Sequence, residues 1–161
     1  DYISGRFNSD EMAVLIQDQL GQLGIQVNIQ SMETGAMVSQ KAFPQTFDAM
    51  IMGITWDTPE PQVLSNLILN SHQDIVGGGF NFTSYVNPEV DDLLAQAGSN
   101  VDCSADVRAP LYKQIQEIVH NDVAYDVISD GVVYTAFSTR IGNVVAGNWG
   151  FNQIQEWTVA Q

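Results

Sequence analysis

The clearest pattern along the chain is a switch between helical and alternating spacing of its apolar residues. After Asn8-Ser9-Asp10-Glu11, a cap residue followed by first-turn acids, Met12, Leu15, Ile16, Leu20 and Leu23 recur at helical intervals and predict one buried stripe. Gly24 suits the left-handed position that closes such a helix. Ile25, Val27 and Ile29 then alternate with Gln26, Asn28 and Gln30, so a strand is expected at once. Thr34 to Phe43 reads as a short second helix stopped by Pro44. Ala49 to Ile54 is an apolar run interrupted only by Gly53. It is too short for a helix and predicts a strand buried on both faces. Alternating helices and strands of this kind imply a largely parallel sheet.

Further along, Val63, Leu64, Leu67 and Ile68 predict a helix over residues 61–69. Residues 70–85 have no useful periodicity. They hold Gly77-Gly78-Gly79 followed by Phe80-Asn81-Phe82-Thr83-Ser84-Tyr85, read as a flexible loop presenting aromatic and amide groups. The glycines lack the Lys-Ser/Thr and the spacing of phosphate loops. Asn87-Pro88-Glu89 is a strong helix start, with Val90, Leu93, Leu94 and Ala97 inward and Asp91 and Asp92 towards solvent. Residues 104–121 predict a long helix with Val107, Leu111, Ile115, Ile118 and Val119 inside; Pro110 requires that it start near Ala109 or kink. Val123 to Ile128 and Val132 to Phe137 read as strands about a turn at Ser129-Asp130-Gly131, and residues 139–161 carry little pattern.

Composition narrows the function classes. A chain of 161 residues with 45% apolar content is one domain with room for a full core. Nineteen acids against five bases give a net charge of −14, which argues against nucleic acid and anionic lipid as partners. The chain begins at Asp1, as expected of a mature protein or a piece of a longer one. His72 and His120 have no ligand-forming neighbours at metal spacing, and Cys103 is flanked by Asp102 and Asp106, which disfavour a thiolate. No nucleophile elbow, zinc-protease motif, Walker loop or dinucleotide fingerprint is present. The reading is therefore a binding domain rather than an enzyme, with no metal and no cofactor.

Candidate chemistry concentrates after the apolar run, in Thr55-Trp56-Asp57-Thr58-Pro59-Glu60-Pro61. Ligands of open α/β sheets bind at the carboxyl ends of strands. There Trp56 offers an apolar plate and Asp57 a charge; the alternative is that Trp56 plugs the core and Asp57 caps the next helix. Thr55, Phe80, Asn81, Phe82 and Tyr85 complete the candidate ligand-binding set.

Taken in order, these segments resemble the carboxyl-terminal lobe of the family 5 extracytoplasmic solute-binding proteins, the peptide and nickel receptors of ABC importers. The resemblance runs from Ala13 to Leu20 into Gly24-Ile25-Gln26-Val27, then through Met32-Glu33, Phe47-Asp48-Ala49, Gly53 and the acidic turn Asp57-Thr58-Pro59-Glu60-Pro61. Asn81, Tyr85, Asn87-Pro88-Glu89-Val90-Asp91, Leu93-Leu94, Arg108, Leu111-Tyr112, Gln116-Glu117-Ile118 and Asp122 follow in the same order. It implies an α/β, periplasmic-binding-protein-like (type II) lobe with a mostly parallel central sheet flanked by helices. Residues 1–138 would form the lobe, and residues 139–161 a tail returning towards a first lobe that this chain lacks. It further implies a periplasmic or extracytoplasmic receptor, secreted or lipid-anchored, that delivers a peptide-like or amine-bearing solute to a membrane permease. Asp57 matches the carboxylate that pairs with the ligand's α-ammonium in peptide-binding members. Ile54 stands where those receptors often carry Trp. A ligand-sensing domain of a regulator built on the same fold is the alternative.

Overall fold

The computed structural model describes residues 1–6, 8–54, 60–99, 104–129, 136–147, 150–152 and 154–159. A short strand β1 (Tyr2–Ile3) leads through helix α1 (Ser9–Gln22) to strand β2 (Ser31–Met32), which pairs with β1 in parallel. Tyr2 also forms a parallel bridge with Ile51, so β1 lies between β2 and the apolar run. The Ile51 N–H donates to the Asp1 carbonyl at 2.9 Å, and the Asp1 ammonium donates to the Ala49 carbonyl at 2.9 Å.

The start of α1 differs from the expected cap. Asn8 sits in the left-handed region (φ 54°) and its side chain caps nothing. The Ser9 hydroxyl instead donates to the Ile3 carbonyl, and Asp10 accepts from the Gly5 N–H at 2.7 Å. At the other end Gly24 (φ 81°) closes the helix as expected. Its N–H donates to the Gly21 carbonyl and that of Ile25 to the Leu20 carbonyl, a Schellman pair in which glycine avoids the left-handed penalty. The inward stripe is only partly realised: Ala13 and Ser9 are the buried positions, while Leu15 and Leu23 are exposed.

Two strand expectations are corrected. The ladder with β1 begins at Gln30, whose carbonyl accepts from the Tyr2 N–H, so Ile25 to Ile29 are unpaired in the sheet. The run Ala49 to Ile54 is not buried on both faces. Among the described residues it meets β1 alone, and Gly53 and Ile54 are exposed. The sheet that the described residues form here is thus parallel but small, and their largest buried cluster lies elsewhere.

Helix α2 (Thr34–Met37) continues as a wider turn over Val38–Ala42, with Met37 and Ala42 fully buried. Helices α3 (Pro61–Leu69), α4 (Pro88–Ser99) and α5 (Ala105–Asp122) pack together around Leu69, Val90, Leu93, Leu94 and Ile115. The expected inner face of α4 is realised in full, and Asn87 Oδ1 caps it by accepting from the Glu89 N–H at 3.0 Å. α5 begins before Pro110 and includes it, at the cost of one helical hydrogen bond to the Asp106 carbonyl. Asp91 is not simply solvated: it accepts from the Ser71 N–H at 2.9 Å and the Ser71 hydroxyl at 2.6 Å.

Residues 123–129 form no strand. Val123 takes a left-handed conformation (φ 53°), and Val127 and Ile128 are exposed with no ladder partner among the described residues. Most of the second expected strand lies outside the described residues. The tail has more order than its sequence suggests. Strand β3 (Ile141–Gly142) pairs antiparallel with β6 (Thr158–Val159), and β4 (Val145–Gly147) with β5 (Gly150–Asn152).

Candidate functional site

Three of the candidate residues, Thr55, Trp56 and Asp57, lie outside the described residues. Their described flanks are Ile54, at the end of the apolar run, and Glu60, which opens α3. Between these flanks and the neighbouring elements is a hollow of about 190 Å³. Met52, Gly53 and Ile54 form one side, Leu64, Leu67 and Ile68 of α3 another, and Val38, Phe43, Phe80 and Phe82 the rest. The side chains that line it are all apolar.

Phe80 and Phe82 reach the hollow through an aromatic cluster with Phe43. The Phe43 ring meets Phe80 edge-on at 5.7 Å and Phe82 edge-on at 5.6 Å, while Phe80 and Phe82 stand 5.9 Å apart. Edge-on contact sets the positive rim of one ring against the negative face of another. Sequence reasoning missed Phe43, whose only local signal was its place before Pro44.

Asn81 and Tyr85 do not line the hollow. Asn81 is fully buried, and its amide is engaged by its own chain: Nδ2 donates to the Tyr85 carbonyl at 2.7 Å and the Asn70 carbonyl at 3.3 Å, while Oδ1 accepts from the Tyr85 N–H at 3.0 Å. Tyr85 packs on the core and donates its hydroxyl to Asp122 at 2.6 Å, at the end of α5, where Asn87 Nδ2 donates to the same oxygen at 2.9 Å. Burial and the adjacent carboxylate push the Tyr85 phenol up to about 12. The hydrogen bonds from Tyr85 and Asn87 hold Asp122 below the usual carboxylate range.

The segment around the glycines is likewise fastened rather than loose. Gln45 Nε2 donates to Asp74 at 2.9 Å and the Asn81 carbonyl at 3.1 Å, and the Gly77 N–H donates to the Phe43 carbonyl at 2.7 Å. A β-carbon on Gly79 would stand 1.8 Å from the Gln73 carbonyl oxygen, so only glycine fits this crossing of two backbones.

Beside the hollow, the entry to α3 is built around charge. Glu60 caps the helix by accepting from the Gln62 N–H at 3.1 Å. Arg108 of α5 grips both its oxygens, through Nη1 at 3.0 Å and through Nη2. Nη2 also donates to the Tyr112 hydroxyl at 2.9 Å, which donates to Gln62 Oε1 at 2.7 Å. The Arg108 bonds hold the Glu60 carboxyl below its usual range, and Glu60 in turn raises Arg108. Among the described residues no group of three His, Cys, Asp or Glu side chains could hold a metal ion, and no helix is long and apolar enough to cross a membrane.

No protein-family model matches the chain. Among curated proteins it is 34% identical over 117 residues to the oligopeptide-binding protein AppA of Bacillus subtilis, covering 72% of this chain and 20% of that protein. The solved structure of AppA in complex with a nonapeptide matches 99% of the chain and 31% of its own, with a TM-score of 0.76 and 26% identity. The relatives and structural neighbours it matches are family 5 peptide, dipeptide and nickel solute-binding proteins, each over a part the size of one lobe. The dipeptide-binding protein of Pseudoalteromonas sp. SM9913, solved with Met-Leu, matches 87% of this chain at a TM-score of 0.72 and 26% identity. The heme-binding protein A of Haemophilus influenzae is 28% identical over 145 residues. The α/β, periplasmic-binding-protein-like class is therefore that of the chain, and the helical core of α3, α4 and α5 is part of one such lobe. The chain spans 20% of the Bacillus relative and 25% of the Haemophilus relative.

Proposed function

We propose that this chain supplies one side of the ligand cleft in the receptor of an ABC importer, and that the receptor binds a peptide-like or amine-bearing solute. The observation that carries the reading is the fit of 99% of the chain to a peptide-complexed receptor, with an apolar hollow at the carboxyl end of the apolar run. Residues 1–138 belong to the carboxyl-terminal lobe and residues 139–161 to a tail that returns towards the first lobe. The partners are that first lobe, a membrane permease and the solute, in a periplasmic or otherwise extracytoplasmic setting. The protein binds its ligand without making or breaking bonds.

In this reading Asp57 faces the ligand's ammonium, because a desolvated ammonium needs a carboxylate partner, and Thr55 and Trp56 line the approach. Phe80 and Phe82 contribute through the hollow they line. Asn81 and Tyr85 act one step back, as supports of the segment that carries the phenylalanines.

The test is calorimetry on the intact receptor with di-, tri- and nona-alanine, each with a free or an acetylated amino terminus. Free peptides should bind and acetylated ones should bind at least about tenfold more weakly, a gap that Asp57→Asn should abolish. Equal affinity for the free and acetylated forms would remove the ammonium role of Asp57.

A further inference from the structure

We propose that Arg108 is a positioning residue for ligand binding, acting through Glu60 at the entry to α3. The inference rests on the reading above that the hollow walled by α3 meets the ligand. Glu60 opens α3, and its carboxylate is held by the Gln62 N–H from α3 itself and by the Arg108 guanidinium from α5. The contacts close into a ring. Arg108 donates to Tyr112, Tyr112 donates to Gln62, and Gln62 returns to Glu60 through its backbone N–H, while Gln62 Nε2 reaches across to the Leu94 carbonyl of α4 at 3.0 Å. The first turn of α3 is thereby tied to both helices that pack against it.

Geometry, more than stability, is what this arrangement supplies. A planar guanidinium offering two N–H groups to one carboxylate sets its orientation as well as its place, which a lysine ammonium cannot do. A partly exposed ion pair adds little stability, and the Glu60 side chain is 38% exposed. The Arg108 Nε–H is also buried without an acceptor, a feature that costs stability. Position matters here because α3 carries Leu64 and Leu67, a wall of the apolar hollow, about one and two turns beyond Glu60.

The experiment compares the intact receptor with its Arg108→Gln, Arg108→Lys and Glu60→Arg/Arg108→Glu variants. Three quantities are measured: amide hydrogen exchange along the chain, melting temperature and affinity for the alanine peptides. Arg108→Gln should speed exchange of the amides of residues 60–64 about tenfold without changing those of α1. It should weaken peptide binding by about tenfold, the equivalent of ordering roughly one more residue on binding. Arg108→Lys should fall between, and the charge-reversed pair should recover neither quantity in full, because an arginine at position 60 has no oxygen to accept from the Gln62 N–H. Unchanged exchange at residues 60–64 in Arg108→Gln overturns the proposal. So does a general rise in exchange with a lower melting temperature and unchanged affinity of the folded protein, since that is a purely structural role. Local exchange that rises while no alanine peptide binds even the unmodified receptor supports the anchoring and overturns the peptide reading instead.

Discussion

Asn81 and Tyr85 exchange two hydrogen bonds: the Tyr85 N–H donates to Asn81 Oδ1 at 3.0 Å, and Asn81 Nδ2 donates to the Tyr85 carbonyl at 2.7 Å. A side-chain amide thus plays the part that a paired strand plays in a sheet, inside a segment with no ladder of its own. This closes the turn that follows Phe80 and places Phe82 against Phe43. Asn81→Ala should leave a buried N–H and carbonyl unpaired and cost about 2–3 kcal/mol in urea denaturation. Asn81→Asp keeps the acceptor but turns a negative oxygen on the Tyr85 and Asn70 carbonyls, and should cost at least as much. A loss near zero for both would return Asn81 to the ligand surface.

How much of this was legible in the sequence depended on whether the cause was local. The cap at Asn87, the inner face of α4 and the closing Gly24 were all readable, because each is decided within one helical turn. Strands were less so. Val123 to Ile128 has strong β character, yet a strand needs a partner, and those residues find none among the described ones. The role of Asn81 was hidden for a related reason: an amide beside aromatic residues suits a ligand contact and an internal brace equally, and burial separates them. Glu60 and Arg108 are 48 positions apart, and nothing in a chain with nineteen acids says which of them an arginine will choose.

Tyr85 and Asp122 should leave a signature in the pH dependence of stability. The folded phenol, at about 12, lies above its unfolded value of roughly 10, so the neutral form is favoured by folding. Its contribution is complete below about pH 10 and is lost as pH rises towards 12. Asp122 is shifted the opposite way. Its contribution is present above the unfolded carboxylate value of about 3.9 and is lost as pH falls through the lower folded one. Tyr85→Phe should reduce the alkaline loss without abolishing it, because burial also raises the Tyr125 phenol. It should weaken the acid one without removing it, because Asn87 still donates to Asp122. Denaturation midpoints followed across both pH ranges check this, and an unchanged alkaline limb would show that folding does not raise the Tyr85 phenol.

The two glycines at the end of the Gly-Gly-Gly run should respond in opposite ways to the same substitution. At Gly79 a methyl group would meet the Gln73 carbonyl oxygen and carbon and the Ile75 nitrogen, all backbone atoms that cannot rotate away. Gly79→Ala should therefore destabilise by about 1–3 kcal/mol or more. At Gly78 the nearest atom is a methyl of Ile75 at 3.8 Å, an ordinary contact, so Gly78→Ala should stay within about 0.5 kcal/mol. Equal tolerance at both positions in guanidinium melts would mean that the backbones do not cross at Gly79.

Leu94 and Leu15 are both inward-facing by sequence spacing, and the structure separates them. Leu94 is fully buried at the meeting of α3, α4 and α5, so Leu94→Ala should open a cavity and cost about 2–5 kcal/mol. Leu15 is 55% exposed on α1. Leu15→Ala in this chain removes little buried area, keeps a strong helix former and should change stability by no more than about 0.5 kcal/mol. The difference arises because α1 packs through its small residues, Ser9 and Ala13, against β1 and leaves Val14 and Leu15 outside. Chemical denaturation of the two variants decides it: a cost at Leu15 as large as at Leu94 would mean that the apolar face of α1 is covered in solution.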